Sequence, residues 1–300
     1  MDYELILIRY GEIALKAKYT RKYFENILIK NIRHALKLSK INNNITKEWG
    51  RIYLNTDKIK DSIKILEKIF GIVSVSPSIK SNTNIKQISD KILDLTKNKL
   101  SEKNSFALRV NRVGKHNFTS QDIAIIIGNE IVSKTKSNVN LTSPDFEIFI
   151  DIRNESSYIF LKKIPGSGGM PLGTQGKVIA IIDEKKAILA AWYLIRRGCK
   201  PIFYLKNMSQ NDNLISFMKR WFIDTKMYIK NTGKNDNSEI LKIIEKECCQ
   251  AIITGHTINN NNKIIYDLKE IKNIFNVPVL CPLIILNDDE IDKKLKEIGL

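Results

Sequence analysis

Cysteine and histidine are scarce in this chain, with four and three copies in 300 residues. The cysteines, Cys199, Cys248, Cys249 and Cys281, form no CxxC pair and have no histidine-rich segment to join them. That excludes the common zinc frameworks and the dithiol redox motif, so no metal site is expected and a reducing cytoplasm suits the chain. No apolar run approaches the roughly 18 residues of a membrane span, so no membrane partner is expected. The opening MDYELILIRYGEIALK carries Asp2, Glu4 and Glu12 and alternates like a strand, unlike a signal or transit peptide. There is no internal repeat and no low-complexity tail.

Positive charge is abundant: 49 Lys and Arg stand against 32 Asp and Glu, a net charge of +17. Two readings remain open. Such a surplus fits a polyanionic partner, and it also fits a Lys-, Ile- and Asn-rich composition set by genome bias or heat adaptation. Its distribution favours the first. Residues 1–164 hold 29 basic and 17 acidic side chains, whereas residues 165–300 hold 20 and 15.

Periodicity divides the chain into two small α+β modules and one α/β unit. Glu4–Arg9, Arg51–Asn55 and Ile72–Ser76 read as strands, with helices over Thr20–Leu38 and Ile59–Phe70 between them, an order that suits a ferredoxin-like fold. A second module has helices Ile85–Leu100 and Gln121–Thr135, a strand Phe106–Val110, and Glu147–Ile152 with Ser157–Leu161 as a hairpin. A linker follows over Pro165–Thr174, rich in glycine. Beyond it, strands Val178–Ile182, Pro201–Leu205, Lys226–Ile229, Ala251–Thr254 and a short one at Val279 alternate with helices Ala187–Arg197, Asn213–Asp224, Ser238–Glu247, Lys269–Ile274 and Glu290–Ile298. That alternation predicts a doubly wound parallel sheet, whose ligand would sit at the carboxyl ends of the strands. The expected domains are 1–75, 76–165 and 176–300, with 166–175 as the connection.

Three segments, IRYGEIALKAKYTRKYFE at 8–25, FALRVNRVGKHNFTSQDIAIIIG at 106–128 and GSGGMPLGTQGKV at 166–178, resemble, in that order, the tRNA 4-thiouridine synthetase family. The resemblance covers nearly the whole chain. It implies an N-terminal ferredoxin-like domain, a THUMP domain and a PP-loop ATP pyrophosphatase domain, with tRNA as partner and a dimeric state. It also implies a reaction in which ATP adenylates a uridine and a cysteine persulfide delivers sulfur.

The residues for that reaction depart from the family pattern. Its phosphate loop, SGGxDS, belongs after the apolar strand that ends in Ile181 and Ile182, where this chain has Asp183, Glu184, Lys185 and Lys186. Side chains replace the glycines that let a backbone cradle phosphate, and a carboxylate ~4 Å from a phosphate oxygen costs ~1 kcal/mol even at water's dielectric constant. A Lys/Arg-rich segment that precedes the helix before the next family motif looks deleted, since strand 226–229 runs almost directly into helix 238–247. That motif, TGExLGQ, survives as Thr254 and Gly255, with Asn260 in the place of its glutamine. The family's sulfur-carrying cysteine would lie beyond Leu300. The four cysteines present read as structural.

These departures predict a remnant nucleotide pocket at Ile181–Lys186 and Gly255, with no catalytic residue and no cofactor. The alternative is an active sulfurtransferase that binds ATP atypically and draws its cysteine from a partner sulfurtransferase chain. A third reading is an assembly or docking role for the α/β unit.

The RNA-binding half keeps its basic residues. Lys16, Lys18, Arg21 and Lys22 cluster before and within the first helix, and Arg109, Arg112, Lys115 and His116 form a second cluster. Lys162 and Lys163 extend the path. A solvated helix start and a solvated loop are the plain readings of the same residues. Trp49, Tyr53 and Phe118 suit packing better than base stacking, and His34 suits a surface or boundary position.

Overall fold

In the computed structural model, residues 3–231, 235–258 and 273–300 are described, and they build two units. The first comprises Met1–Tyr10, Leu36–Glu67 and Val73–Gly166; the second comprises Gly11–Ala35, Lys68–Ile72 and Ser167–Leu300. Most of both expected α+β modules falls in the first unit, while Gly11–Ala35 and Lys68–Ile72 fall in the second, and a single strand spans the boundary between the modules.

The elements up to that strand are β1 (Leu5–Tyr10), α1 (Lys18–Leu38), β2 (Asn44–Glu48), β3 (Arg51–Asn55), α2 (Ile59–Leu66) and β4 (Ile72–Asn82). Strand β4 runs for 11 residues, well past the expected end at Ser76. Its second half, Pro77–Asn82, is polar enough to look like a loop in sequence. In the structure that half pairs with β8, while β4 also neighbours β1. Helix α2 stops at Leu66 rather than Phe70, because Ile69 and Phe70 are buried from turns, not from a helix. Strand β2, NITKE, went unpredicted, since Ile45 is its one buried residue.

The rest of the first unit is α3 (Ile85–Thr96), β5 (Ser105–Val113), α4 (Ser120–Thr135), β6 (Asn138–Val139), β7 (Phe146–Arg153), β8 (Ser156–Phe160) and β9 (Ile164–Pro165). The sheet order is β2-β3-β1-β4-β8-β7-β5-β6, with β9 on β4. Strands β7 and β8 form the expected antiparallel hairpin, and β5 runs parallel to β7. Alternation sorts the side chains. Ile148, Ile150, Ile152 and Ile159 pack with Ile88 and Ile92 of α3 and Ile123, Ile127 and Ile131 of α4. Asn84 caps α3, and Thr119 with Asp122 closes a capping box on α4.

The opposite face carries Leu5, Leu7, Tyr53, Phe149, Tyr158 and Phe160 in one buried cluster. Tyr53 on β3 stacks on Tyr158 on β8 at 4.5 Å, although β1 and β4 separate their strands. The sheet is therefore bent about β4 until its two halves meet.

In the second unit, β10 (Lys177–Ile182), α5 (Lys185–Arg196), β11 (Lys200–Leu205), α6 (Asn211–Arg220), β12 (Met227–Ile229), α7 (Asp236–Glu247), β13 (Ile252–Ile253), β14 (Val279–Leu280) and α8 (Asp288–Ile298) follow in order. The sheet is parallel throughout, ordered β12-β11-β10-β13-β14. Val178, Ala180 and Ile182 join a core with α5, Leu214 and Phe217 of α6, and Ile291, Leu295 and Ile298 of α8. Ile179 joins the other core, with Ile240, Ile243 and Ile244 of α7. Helices thus cover both faces. The predicted helix at Lys269–Ile274 lies largely outside the described residues.

The glycine-rich connection is held in place, not loose. Met170 N donates to Arg196 O at 2.9 Å, and Gly173 N and Gln175 N both donate to Gly198 O. Gly169 has φ +72°, and a Cβ there would collide with the Arg196 carbonyl.

Candidate nucleic-acid interface

The first basic cluster starts from a short 3-10 helix, Glu12–Leu15, anchored by buried Ile13. Helix α1 then begins at Lys18 with no acidic residue in its first turn, so the positive end of its dipole is uncompensated by its own sequence. Lys16, Lys18 and Lys22 are exposed, whereas Arg21 is half-buried and already engaged. Beside the i,i+4 pair Lys18 and Lys22 stands a second pair, Tyr19 and Tyr23, exposed by 87% and 56%. Leu15 is 89% exposed. An aromatic stripe beside a lysine stripe offers ring faces and cations together, the combination that holds single-stranded bases and their phosphates. The two tyrosines escape a reading for charge, and their helical spacing was the available signal.

The second cluster divides. Arg109 and Arg112 are three residues apart on β5 and so point to opposite faces. Arg109 donates from Nε to Glu147 at 2.8 Å and from Nη2 to Leu141 O at 2.9 Å. It lines a groove of about 570 Å³ with Lys162, Lys163 and Phe149. There Lys163 Nζ stands 4.1 Å over the Phe149 ring, and burial, with Arg9 nearby, lowers its pKa from the ordinary lysine value. Sequence-distant Arg109 and Lys162–Lys163 are thus brought together.

Arg112, Lys115 and His116 instead shape the loop after β5. His116 Nε2 lies 2.8 Å from Asn154 O and therefore carries the proton, which leaves Nδ1 to accept from Arg112 Nη1 at 3.4 Å. His116 also stacks on Phe118 at 5.1 Å. The imidazole braces the loop, and exposed Lys115 at its tip is available to a ligand. Tyr53 packs as expected, and Trp49 is exposed.

At the carboxyl end of β10, Ile182 is fully buried and Ile181 partly so. Asp183 accepts a hydrogen bond from Glu184 N at 2.9 Å, Lys186 pairs with Glu184 at 3.1 Å, and Lys185 opens α5 exposed. The N-cap Glu184 makes no side-chain cap. Gly255 lies hard against α5, since a Cβ there would stand 2.9 Å from Ala187 N and 3.0 Å from its Cα. Thr254 Oγ1 meets His256 Nδ1 at 2.8 Å and Cys281 Sγ at 3.3 Å. Asn260 lies outside the described residues. Among the described residues no cluster of His, Cys, Asp and Glu suits a metal ion, and no helix is long and apolar enough to cross a membrane.

Burial raises the pKa of Cys249 to about 11, and burial also raises that of Cys199. Neither is an activated thiol.

The ThiI ferredoxin-like domain model matches residues 5–76, and the THUMP domain model matches residues 82–162. A probable tRNA sulfurtransferase of Methanobrevibacter smithii is 30% identical over an alignment of 337 positions that covers 100% of this chain and 87% of the relative. One from Methanocaldococcus jannaschii is 33% identical, covering 98% and 87%. With 337 positions for 300 residues, the first alignment includes stretches that only the relative fills. PH1313 from Pyrococcus horikoshii superposes with a TM-score of 0.86 at 29% identity, over 99% of this chain and 100% of that one. A 4-thiouridine synthetase solved with RNA and bound ATP shares the fold, with a TM-score of 0.81 at 24% identity over 99% and 85%. The ferredoxin-like and THUMP modules, the parallel α/β unit and these relatives agree: the chain belongs to the tRNA sulfurtransferase family.

Proposed function

We propose that this chain is a tRNA-binding member of its family that keeps RNA recognition and has lost ATP-dependent uridine adenylation and sulfur transfer. The loop between β10 and α5 carries this reading. Phosphate binding at a helix start needs glycine backbone and free N–H groups. Here Asp183 and Glu184 occupy the loop, Ala187 N is spent on Glu184 O, and Gly255 abuts the same turn. The gapped alignment supports loss of further segments.

RNA would be held by Lys16, Lys18 and Lys22 with Tyr19 and Tyr23, by Lys115, and by the groove of Arg109, Lys162 and Lys163. A 4-thiouridine synthetase of this fold was solved with RNA, and the THUMP match supports the same partner here. Labelled tRNA should bind at low salt and lose affinity on the order of 10³-fold between 50 and 200 mM salt if about six phosphates are contacted. No binding at low salt overturns the RNA reading.

The second reading, an active sulfurtransferase with an atypical ATP site, is favoured by relatives that carry that name across nearly the whole chain. Calorimetric titration separates the two. Measurable ATP binding, or ATP-dependent thiouridine in tRNA, would establish the enzyme and remove the proposed loss.

A further inference from the structure

The bent sheet of the first unit brings together three arginines that the RNA path does not use. Arg9 comes from β1, Arg51 from β3 and Arg153 from β7, and one carboxylate, Asp151, stands among them. Arg51 and Arg153 each give Nε to Asp151, at 3.0 Å to Oδ2 and 3.0 Å to Oδ1, and Asn111 adds a third donor at 3.0 Å. Their Nη1 groups are taken by backbone carbonyls, Gly50 O at 2.7 Å and Trp49 O at 3.2 Å. Asp151 thus accepts from three donors, two of them charged.

Among the described residues Arg9 hydrogen-bonds no carboxylate, although the Asp151 charge is near enough to favour its charged form. Its Nη1 donates to Ser76 Oγ at 2.9 Å, its Cζ lies 4.6 Å over the Phe160 ring, and its Nη2 is buried with no hydrogen-bond partner. No bond is formed by Nη2 of Arg51 or Arg153 either, among the described residues. Burial is substantial: the side chains of Asp151 and Arg153 are 4% and 6% exposed. Burial first and the Arg51 charge second lower the Arg9 pKa to about 10. A half-buried guanidinium with one buried, unpaired nitrogen and a like charge beside it is costly unless something compensates it.

Two arginines on one aspartate would suffice to pin β3 to β7. The third is surplus, and its Nη2 group is an unpaired charged donor of the kind that oxyanions accept. We propose that Arg9, Arg51 and Arg153 form a binding site for a phosphate-type oxyanion, with Arg9 as its principal donor. The anion comes either from solution or from an RNA phosphodiester, and only the second source rests on the tRNA reading above.

The test uses the full chain and inorganic phosphate, with chloride at matched ionic strength as the control. Phosphate should raise the melting temperature and give a saturable calorimetric isotherm, and chloride should do neither. Arg9→Met should weaken phosphate binding by about tenfold or more, and Arg9→Lys, which keeps the charge but not the fork, should fall between. Equal responses to phosphate and chloride, or a wild-type phosphate response in Arg9→Met, overturn the site. If Arg9→Met does not fold, Arg9→Lys with an unchanged phosphate affinity overturns it. Labelled tRNA then identifies the source: displacement by phosphate beyond the chloride control assigns an RNA phosphodiester, and its absence, with phosphate still bound, assigns the free ion. Failure of phosphate to bind while tRNA binds rejects this site and leaves the RNA reading intact.

Discussion

At the scale of single residues, what a basic side chain already touches decides whether it can serve RNA. Lys115 is exposed at a braced loop tip, so Lys115→Glu should weaken tRNA binding and reduce the salt slope by about one contact. Arg109→Ala should do less, because Glu147 and Leu141 already occupy that guanidinium. Arg112→Glu should weaken binding too, by releasing His116, whereas Lys185→Ala should not; anisotropy titrations of all four with labelled tRNA check the order. A different test concerns acid. Glu247 is buried, accepts from Lys226 and Tyr228 at 2.7 Å each, and titrates at about 2, below its ordinary 4.5. Its stabilising effect is present above about 4.5 and is lost as pH falls toward about 2. In Glu247→Gln the midpoint of urea unfolding should therefore fall less steeply across that window than in the wild type. Charge was legible in the sequence, but its partners were not. Nothing local joins Glu247 to Lys226, or Arg9 to Ser76, because those pairs exist only after the strands align.

At the scale of elements, periodicity located most helices and strands, and failed where burial and secondary structure part company. Ile69 and Phe70 continue a helical apolar spacing yet are buried from turns. Polar Pro77–Asn82 is a strand because β8 supplies its partner. The position of the loop between β10 and α5 was readable from Asp183–Lys186, whereas its tight contact with Gly255 required the parallel sheet. Gly255→Ala should force the segment after β13 off the first turn of α5, and Gly169→Ala should be worse, since it adds a left-handed backbone to a clash with the Arg196 carbonyl. A loss of more than about 2 kcal/mol is expected for Gly169→Ala and a smaller one for Gly255→Ala, by chemical denaturation.

At the scale of the whole molecule, the family matches end at 76 and resume at 82, as if two modules met there. The boundary falls within β4, which neighbours β1 and also pairs with β8. The modules should therefore melt together. Ile150→Ala, in the core against α3 and α4, should cost about 2–5 kcal/mol. It should also reduce amide protection in β1 and β3 as much as in β7. Independent loss of protection in β7 alone would show that the modules unfold separately. Shared backbone also bears on evolution and handling of the chain. A fragment cut at Ser76 would remove the half of β4 that pairs with β8, leaving open sheet edges of the kind that recruit other chains. Either module cut out alone would bare a strand edge that the other now covers, and each would need a new neighbour or charged edge residues to stay single.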